Sequence, residues 1–254
     1  MTRRYGLRDD QWDRIKDLLP GREGHVGCTA RDNRLFVEAV LYRYRAGIPW
    51  RDLPERFGDF RVIHTRHMRW SRSGVWKKVF EHLAKDADNE YAMIDSTIVR
   101  AHQHSAGAKG GTATECIGRS KGGLTTKIHA TCDALGNPTG FHLTPGQAHD
   151  LQGADTLLPG LIDRIKAFLA DKAYDAARRV LDVLEKAHVE AVIPPKRSRT
   201  DKRVYDKELY KERALIENFF AKLKQYRAIA TRYDKRAIAF LGAIHLAASV
   251  IWLN

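Results

Sequence analysis

Tyr91-Ala-Met-Ile-Asp95-Ser-Thr-Ile-Val99 is the stretch on which the reading of this 254-residue chain turns. The run is apolar, rich in β-branched side chains, and too short for a buried helix of its own, so it predicts a central β-strand. Asp95 stands in its middle. A single acid in an apolar strand is most simply a buried carboxylate tied to Ser or Thr hydroxyls. Whether it is more than that depends on what the rest of the chain brings beside it.

Towards the C-terminus the pattern is that of a mixed sheet. Residues 104–123 hold six glycines with small and basic residues, and read as a long flexible loop. Thr125 to Cys132 and Pro138 to Leu143 flank Asp133-Ala-Leu-Gly-Asn137, a strand–turn–strand hairpin. The chain then alternates: a helix near 153–164, a short strand Ala167 to Ala170 ending at Asp171, a helix over 175–187, and a strand Glu190 to Ile193 stopped by Pro194-Pro195. Three antiparallel strands followed by αβαβα elements describe an α/β fold of RNase H-like type, a mixed five-stranded sheet with flanking helices. No internal repeat is visible.

Towards the N-terminus the pattern is helical throughout. Asp9 to Leu19 forms a short helix, with two acids in its first turn and Pro20-Gly21 after it. From Asn33 to Ala46, residues Phe36, Val37, Val40, Leu41 and Tyr44 make one apolar stripe closed by Gly47. A tight segment and a short helix lead to Gly58. Asp59 can then cap a third helix through about Arg72. At 100° per residue, Phe60, Ile63, His67 and Trp70 share one side, while Arg61, Arg66, Arg69 and Arg72 share the other. Helix, short helix, arginine-faced helix is the outline of a helix-turn-helix module that grips DNA; a plain three-helix packing unit is the bland alternative. The expected organisation is a helical DNA-binding domain over residues 1–88. An RNase H-like catalytic domain with C-terminal helices follows over 89–254.

Charge follows the same division. The chain carries 44 Lys and Arg against 31 Asp and Glu, a formal +13. Residues 1–90 hold 19 basic and 14 acidic side chains, 91–195 hold 11 of each, and 196–236 hold 14 and 6. Two basic regions around a neutral middle suit a polyanionic partner such as nucleic acid better than mere solubility. Cys28, Cys116 and Cys132 have no Cys-x-x-Cys spacing, which speaks for a reducing compartment and against a disulfide framework or thiolate zinc site. No signal peptide is read at the start. The apolar run Ala237 to Leu253 is interrupted by Gly242, His245 and Ser249 and reads as a buried helix, not a membrane span. A cytoplasmic protein, nucleoid-associated when bound to DNA, is expected.

The chemistry rests on carboxylates. Asp171 sits where a short parallel strand runs out, the place where α/β sheets put ligand-binding side chains. A helix beginning near Asp206 offers a third acid. With Tyr210 as origin, Arg213 falls at about 300°, Glu217 at about 340° and Lys224 at about 320°. These four form a polar seam beside an apolar face of Leu215, Ile216, Phe219, Phe220 and Leu223. A salt-bridged surface seam would look the same, since Arg213 and Glu217 are an i,i+4 pair. If Asp95, Asp171 and Glu217 converge, their mutual repulsion asks for a cation. Mg²⁺ prefers such oxygen ligands, and two ions could run phosphodiester chemistry without a protein nucleophile. No Gly-x-Ser-x-Gly, P-loop or Cys-His arrangement competes. His102 with His104, and His64 with His67, lack a third ligand nearby and read as structural.

The helix motif Tyr210-x2-Arg213-x3-Glu217-x6-Lys224 resembles the signature of insertion-sequence transposases of the DDE class. Four further stretches resemble the IS-five type of the IS-four/IS-five superfamily. They are Gly47-Ile-Pro-Trp-Arg-Asp-Leu-Pro-Glu-Arg-Phe-Gly58, Asp95-Ser-Thr-Ile-Val-Arg-Ala-His102, Gly122-Gly-Leu-Thr-Thr-Lys-Ile-His129 and Ala170-Asp-Lys-Ala-Tyr-Asp175. The resemblance spans nearly the whole chain. It implies Asp95, Asp171 and Glu217 as the metal-binding triad for two Mg²⁺ ions, with Mn²⁺ substituting. Tyr210, Arg213 and Lys224 are its supporting positions, grouped with the α-helical arginines as DNA contacts. It further implies cleavage at terminal inverted repeats, strand transfer into target DNA, and a homodimer or higher oligomer on paired ends. Asp171 and Glu217 lie 46 positions apart, too close for the large β insertion of some relatives, so their hairpin-based excision is not carried over. A stand-alone RNase H-like nuclease or resolvase would share the triad without needing the helical module. A non-enzymatic DNA-binding regulator would need the module without the triad.

Overall fold

The computed structural model describes every residue except 1–4, 25, 26, 109, 110, 113 and 201, so part of the loop expected over 104–123 lies outside the described residues. In chain order it begins with helices α1 (Asp9–Ile15), α2 (Asn33–Ala46), α3 (Phe60–Arg72) and α4 (Val75–Leu83). Strands β1 (Tyr91–Ala101), β2 (Gly118–Ser120), β3 (Gly123–Cys132) and β4 (Pro138–Pro145) follow. Then come α5 (Leu151–Leu157), β5 (Ala167–Leu169), α6 (Asp182–Lys186), β6 (Glu190–Val192), α7 (Lys207–Lys211), α8 (Ala214–Lys224), α9 (Arg227–Ala230) and α10 (Ala237–Trp252). The chain divides into two compact units, residues 1–83 with 102–108 and 222–254, and residues 84–101 with 109–221.

In the helical unit, α2 starts on an Asp32 cap whose carboxylate accepts the Leu35 N–H, and ends on Gly47 in the left-handed conformation. One 3₁₀ turn, Trp50–Asp52, lies in the tight segment, and a second, Glu55–Phe57, stands where the short helix is expected. Asp59 caps α3 by accepting the Arg61 N–H. Ile63, His67, Trp70 and Ser71 make the buried face of α3. Helix α4 adds to the expected helices, its buried Trp76, Val79, Phe80 and Leu83 sitting at helical spacing. Phe36, Trp70 and Trp76 form the aromatic centre, with ring centroids 4.9 Å apart for Phe36–Trp70 and 5.0 Å for Trp70–Trp76. Residues 222–254, expected with the sheet, pack with these helices. The cause is α10, which is apolar nearly all round and lies along α3 and α4. Gly242 permits that approach, because a Cβ there would collide with Ser71 and Trp76. No helix among the described residues is long and apolar enough to cross a membrane.

A polar cluster inside this unit explains one histidine. The Trp76 indole N–H donates to His67 Nδ1 at 3.2 Å, so Nε2 carries the ring proton and faces the Tyr44 hydroxyl at 3.2 Å. Tyr44 in turn donates to Asp234 at 3.0 Å. Burial holds His67 well below its ordinary range, at about 4, despite the opposing pull of Asp234. It is a neutral structural histidine, as its sequence context suggests.

The sheet unit has the strand order β4–β3–β1–β5–β6, with β3 antiparallel to both β1 and β4, and β5 parallel to both β1 and β6. Antiparallel strands followed by parallel ones make the mixed sheet expected from the alternation of elements. The short β2, absent from that reading, pairs with the first residues of β3. The hairpin turn is held by Asp133, whose carboxylate accepts the N–H groups of Leu135 and Asn137 at 3.0 and 2.7 Å. Gly136 supplies the positive φ that the turn requires. The expected helix over 175–187 is a π-helical turn, Ala177–Leu181, running into α6. Beneath the sheet, Ile94, Ala154, Leu158, Phe168, Val180 and Leu184 make the core.

Candidate active site

Asp95 lies midway along β1, opposite Ala130 of β3. On its other side β1 runs parallel to β5, with Met93 opposite Leu169. Continuing that register by two residues brings Asp95 level with Asp171, just past the end of β5. Asp171 turns the chain there: its Oδ1 accepts the Ala173 N–H at 2.8 Å and caps a 3₁₀ turn, Lys172–Tyr174. Asp95 Oδ1 accepts its neighbour Ser96 N–H at 2.7 Å, leaving Oδ2 for other partners.

The third carboxylate arrives on α8. Asp206 caps α7 by accepting the N–H groups of Glu208 and Leu209 at 2.8 and 3.0 Å. The sequence reads as one continuous helix from here, but the backbone breaks at Glu212–Arg213 before α8 begins. The break does not separate the seam. One guanidinium nitrogen, Arg213 Nη2, lies 3.3 Å from Asp95 Oδ2 and 2.9 Å from Glu217 Oε1. The Arg213 side chain is 12% exposed and Asp95 22%, while Glu217 is 64% exposed and open to an incoming substrate. Burial pushes the Asp95 carboxyl above its ordinary range; Asp171 and Glu217 add to that, and the Ser96 N–H and Arg213 oppose it. The three acids therefore form one electrostatic group with more negative charge than Arg213 cancels.

A second layer flanks Asp95, and the sequence reading missed it. Ser96 Oγ donates to Asp150 Oδ1 at 2.6 Å, and the nearly buried Lys127 ammonium reaches the same oxygen at 2.9 Å and the Ala148 carbonyl at 2.7 Å. Burial would push the Asp150 carboxyl up, but the hydrogen bonds from Ser96 and Lys127 outweigh it and hold the acid below its usual range. Tyr174 is 1% exposed and its hydroxyl has no hydrogen-bond partner among the described residues. Burial, with Asp150, Asp95 and Asp171 nearby, keeps that hydroxyl protonated. Lys127 and Tyr174 lie within quoted motifs. Asp150 follows a hairpin and reads as an ordinary helix-start acid, so no local signal marks it.

Oxygen-only donors from three elements, short of positive charge, suit a hard divalent cation. Among the described residues, no three His, Cys, Asp or Glu side chains are gathered closely enough to hold a metal ion. Asp95 and Glu217 share a guanidinium nitrogen instead. His102 and His104 meet edge to face at 4.6 Å, and His102 stacks on Tyr233, without an acid among them.

The arginines of α3 fall into two kinds. Arg61, Arg69 and Arg72 are exposed, Arg61 within 3.9 Å of Asp59. Arg69 and Arg72 line an open depression with His64, Thr65, Met68 and Ser73. Arg66 is half-buried, its guanidinium 4.2 Å from the Phe36 ring centroid and 4.7 Å from that of Trp70, with a hydrogen bond to Asn33. Tyr210 stands beside Arg213, whose guanidinium carbon is 5.7 Å from its ring centroid, and Lys224 is exposed at the end of α8.

Two family models match the chain. One describes a putative transposase of the IS4/5 family and covers residues 7–80; the other is the transposase DDE domain and covers residues 88–252. An uncharacterized protein of Sinorhizobium fredii is 49% identical over 118 residues, 46% of this chain and 87% of its own. A putative transposase for insertion sequence element IS6501 of Brucella ovis is 42% identical over 131 residues, 52% of this chain and all of its own. A pre-cleavage Mos1 transpososome structure aligns with 95% of this chain and 84% of that one, at 13% identity and a TM-score of 0.29.

Proposed function

Because the chain belongs to the family of transposases with a DDE domain, we propose that Asp95, Asp171 and Glu217 are its catalytic carboxylates and hold two Mg²⁺ ions, for which Mn²⁺ can substitute. The chain is a DNA transposase, and its family carries a dependence on divalent metal. The observation that supports these three residues is their convergence. Arg213 Nη2 bridges Asp95 on β1 and Glu217 on α8, and Asp95 also feels the charge of Asp171 just past the end of β5.

The ions, when bound, would activate the attacking oxygen and stabilise the leaving one. The protein supplies placement. Asp95 is fixed by the Ser96 N–H and Asp171 by the Ala173 N–H, so two of the ligands stand on rigid backbone. Exposed Glu217 approaches from the solvent side, where a phosphodiester can enter. The reaction is hydrolysis of a phosphodiester at the transposon's terminal inverted repeats, then transesterification into target DNA. Tyr210, Arg213 and Lys224 contact DNA phosphates near the site, and the exposed arginines of α3 hold the end DNA in a helix-turn-helix manner. Arg66 supports that face from within, lying on Phe36 and Trp70. Two or more copies act together on paired ends, in the cytoplasm at the nucleoid.

Asp171→Asn tests the assignment. It keeps the side-chain shape and the cap on the Ala173 N–H while removing the charge. Cleavage and strand transfer should vanish with either Mg²⁺ or Mn²⁺, and end-DNA binding should stay within a few-fold of wild type. Strand transfer near the wild-type rate would remove Asp171 from the triad.

A further inference from the structure

Arg213 is placed for more than DNA contact. Its Nη2 touches Asp95 and Glu217 at once, while its buried Nη1 has no hydrogen-bond partner among the described residues. The residue occupies the break between α7 and α8, where the Arg213 N–H reaches back to the Tyr210 carbonyl at 3.3 Å. The Tyr210 ring beside it offers a cation-π surface on which a guanidinium released from the acids could rest.

We propose that Arg213 is an exchangeable counter-cation, bridging Asp95 and Glu217 until divalent metal loads and then passing to a DNA phosphate. The proposal rests on the triad reading. Mg²⁺ binds carboxylate oxygen at about 2.0–2.1 Å. An ion drawing on the oxygens that Arg213 Nη2 now bridges would face a second cation close by, in a setting that screens charge weakly. Metal and the bridging guanidinium therefore compete. The guanidinium's planar fork suits a phosphate, and a DNA backbone at the site supplies one. End DNA thus removes the competitor, so metal and DNA each strengthen the other's binding through this one side chain. The coupling is reciprocal by thermodynamic necessity.

Mn²⁺ binding to the full chain, counted by electron paramagnetic resonance without DNA and then with a transposon-end duplex, tests the exchange. Arg213→Gln should bind Mn²⁺ roughly tenfold more tightly than wild type without DNA. It should also lose most of the gain in Mn²⁺ affinity that end DNA gives wild type. Arg213→Lys, a point charge without the fork, should fall between them. Arg179→Gln, which removes a cation paired with Asp155 elsewhere in the same unit, should match wild type. Unchanged or weaker Mn²⁺ binding by folded Arg213→Gln, with Asp171→Asn still abolishing it, overturns the exchange and spares the triad. Wild-type Mn²⁺ binding by Asp171→Asn overturns the triad and the exchange with it.

Discussion

The arginine face of α3 and the turn between α7 and α8 each hold a half-buried guanidinium beside aromatic rings, and the two are in opposite situations. Arg66 lies on Phe36 and Trp70 and bonds to Asn33, all neutral groups, while burial and then Arg69 disfavour its charged form and Asp32 opposes them. Arg213 lies near Tyr210 but bridges two acids of a group of three, and its environment remains short of positive charge. A charged side chain is thus classified by the balance around it more than by its own type. Enclosed mainly by neutral partners, such a side chain is expected to serve packing. Placed among an excess of opposite charge it marks a site awaiting a ligand.

The largest expected effects separate the two regions by what they remove. Asp95→Asn should lower strand transfer at least about 1000-fold, because metal-held charge stabilisation is worth several kcal/mol, while end binding changes little. Arg69→Ala combined with Arg72→Ala should do the reverse. End binding weakens, its salt slope falls by roughly two units, and strand transfer recovers at saturating protein. If the double variant loses strand transfer even when fully DNA-bound, the face of α3 does more than hold DNA and the contrast fails.

The inner face of α3 carries a pH-dependent contribution. The folded pKa of His67, about 4, lies below the ordinary value near 6.5, so the unfolded chain binds the proton more readily. The stability due to a neutral His67 is therefore complete above about pH 6.5 and lost as pH falls towards 4, by about 3 kcal/mol. His129 and His245 are shifted in the same sense, to about 4 and about 3. Denaturant titrations of wild type and His67→Gln across this range should show a shallower pH slope for the variant. Equal slopes would mean that His67 does not stay neutral.

Arg66→Ala should then cost about 1–2 kcal/mol of stability, the range for a partly desolvated cation-π contact. Exposed Arg61→Ala should stay within about 0.5 kcal/mol. Thermal unfolding of the two variants measures the difference. Equal, small shifts would put Arg66 back among arginines available to DNA.

These contrasts also mark what could be read without coordinates. Tyr91–Val99, the Asp133–Asn137 turn and the strand ending at Asp171 are legible because each carries its own local pattern of β-branched residues, turn formers or a strand stop. Glu217 is legible because helical spacing aligns it with Arg213, and that pairing survives the break at Glu212–Arg213. The break itself is hidden, since apolar spacing runs straight through it. So is the distinction between Arg66 and its neighbours on α3, because Phe36 comes from another helix. Asp150 and the unpartnered Tyr174 hydroxyl are hidden for the same reason: Ser96 and Lys127 reach Asp150 only once β1, β3 and the start of α5 have packed. Long-range pairing, not local propensity, completes the site.

Lys224 offers the smallest expected effect and a further test within α8. It shares the seam with Glu217 but sits seven residues on, about 10 Å along the helix at 1.5 Å per residue. At that distance it cannot bind the ions that Glu217 would hold, and as a cation it would be repelled by them. A DNA phosphate next to the scissile one is its natural partner, held as a point charge on a flexible stem. Lys224→Ala should therefore lower strand transfer only several-fold. Added Mn²⁺ should not restore it, whereas lower salt should, because fewer counterions then compete for the remaining phosphate contacts. Glu217→Gln should respond the other way, with partial rescue by Mn²⁺ and indifference to salt. Strand transfer measured for both variants across a metal titration and a salt titration decides the matter. Rescue of Lys224→Ala by metal, with no response to salt, would join the two residues into one unit and erase the division between metal ligand and phosphate contact along this helix.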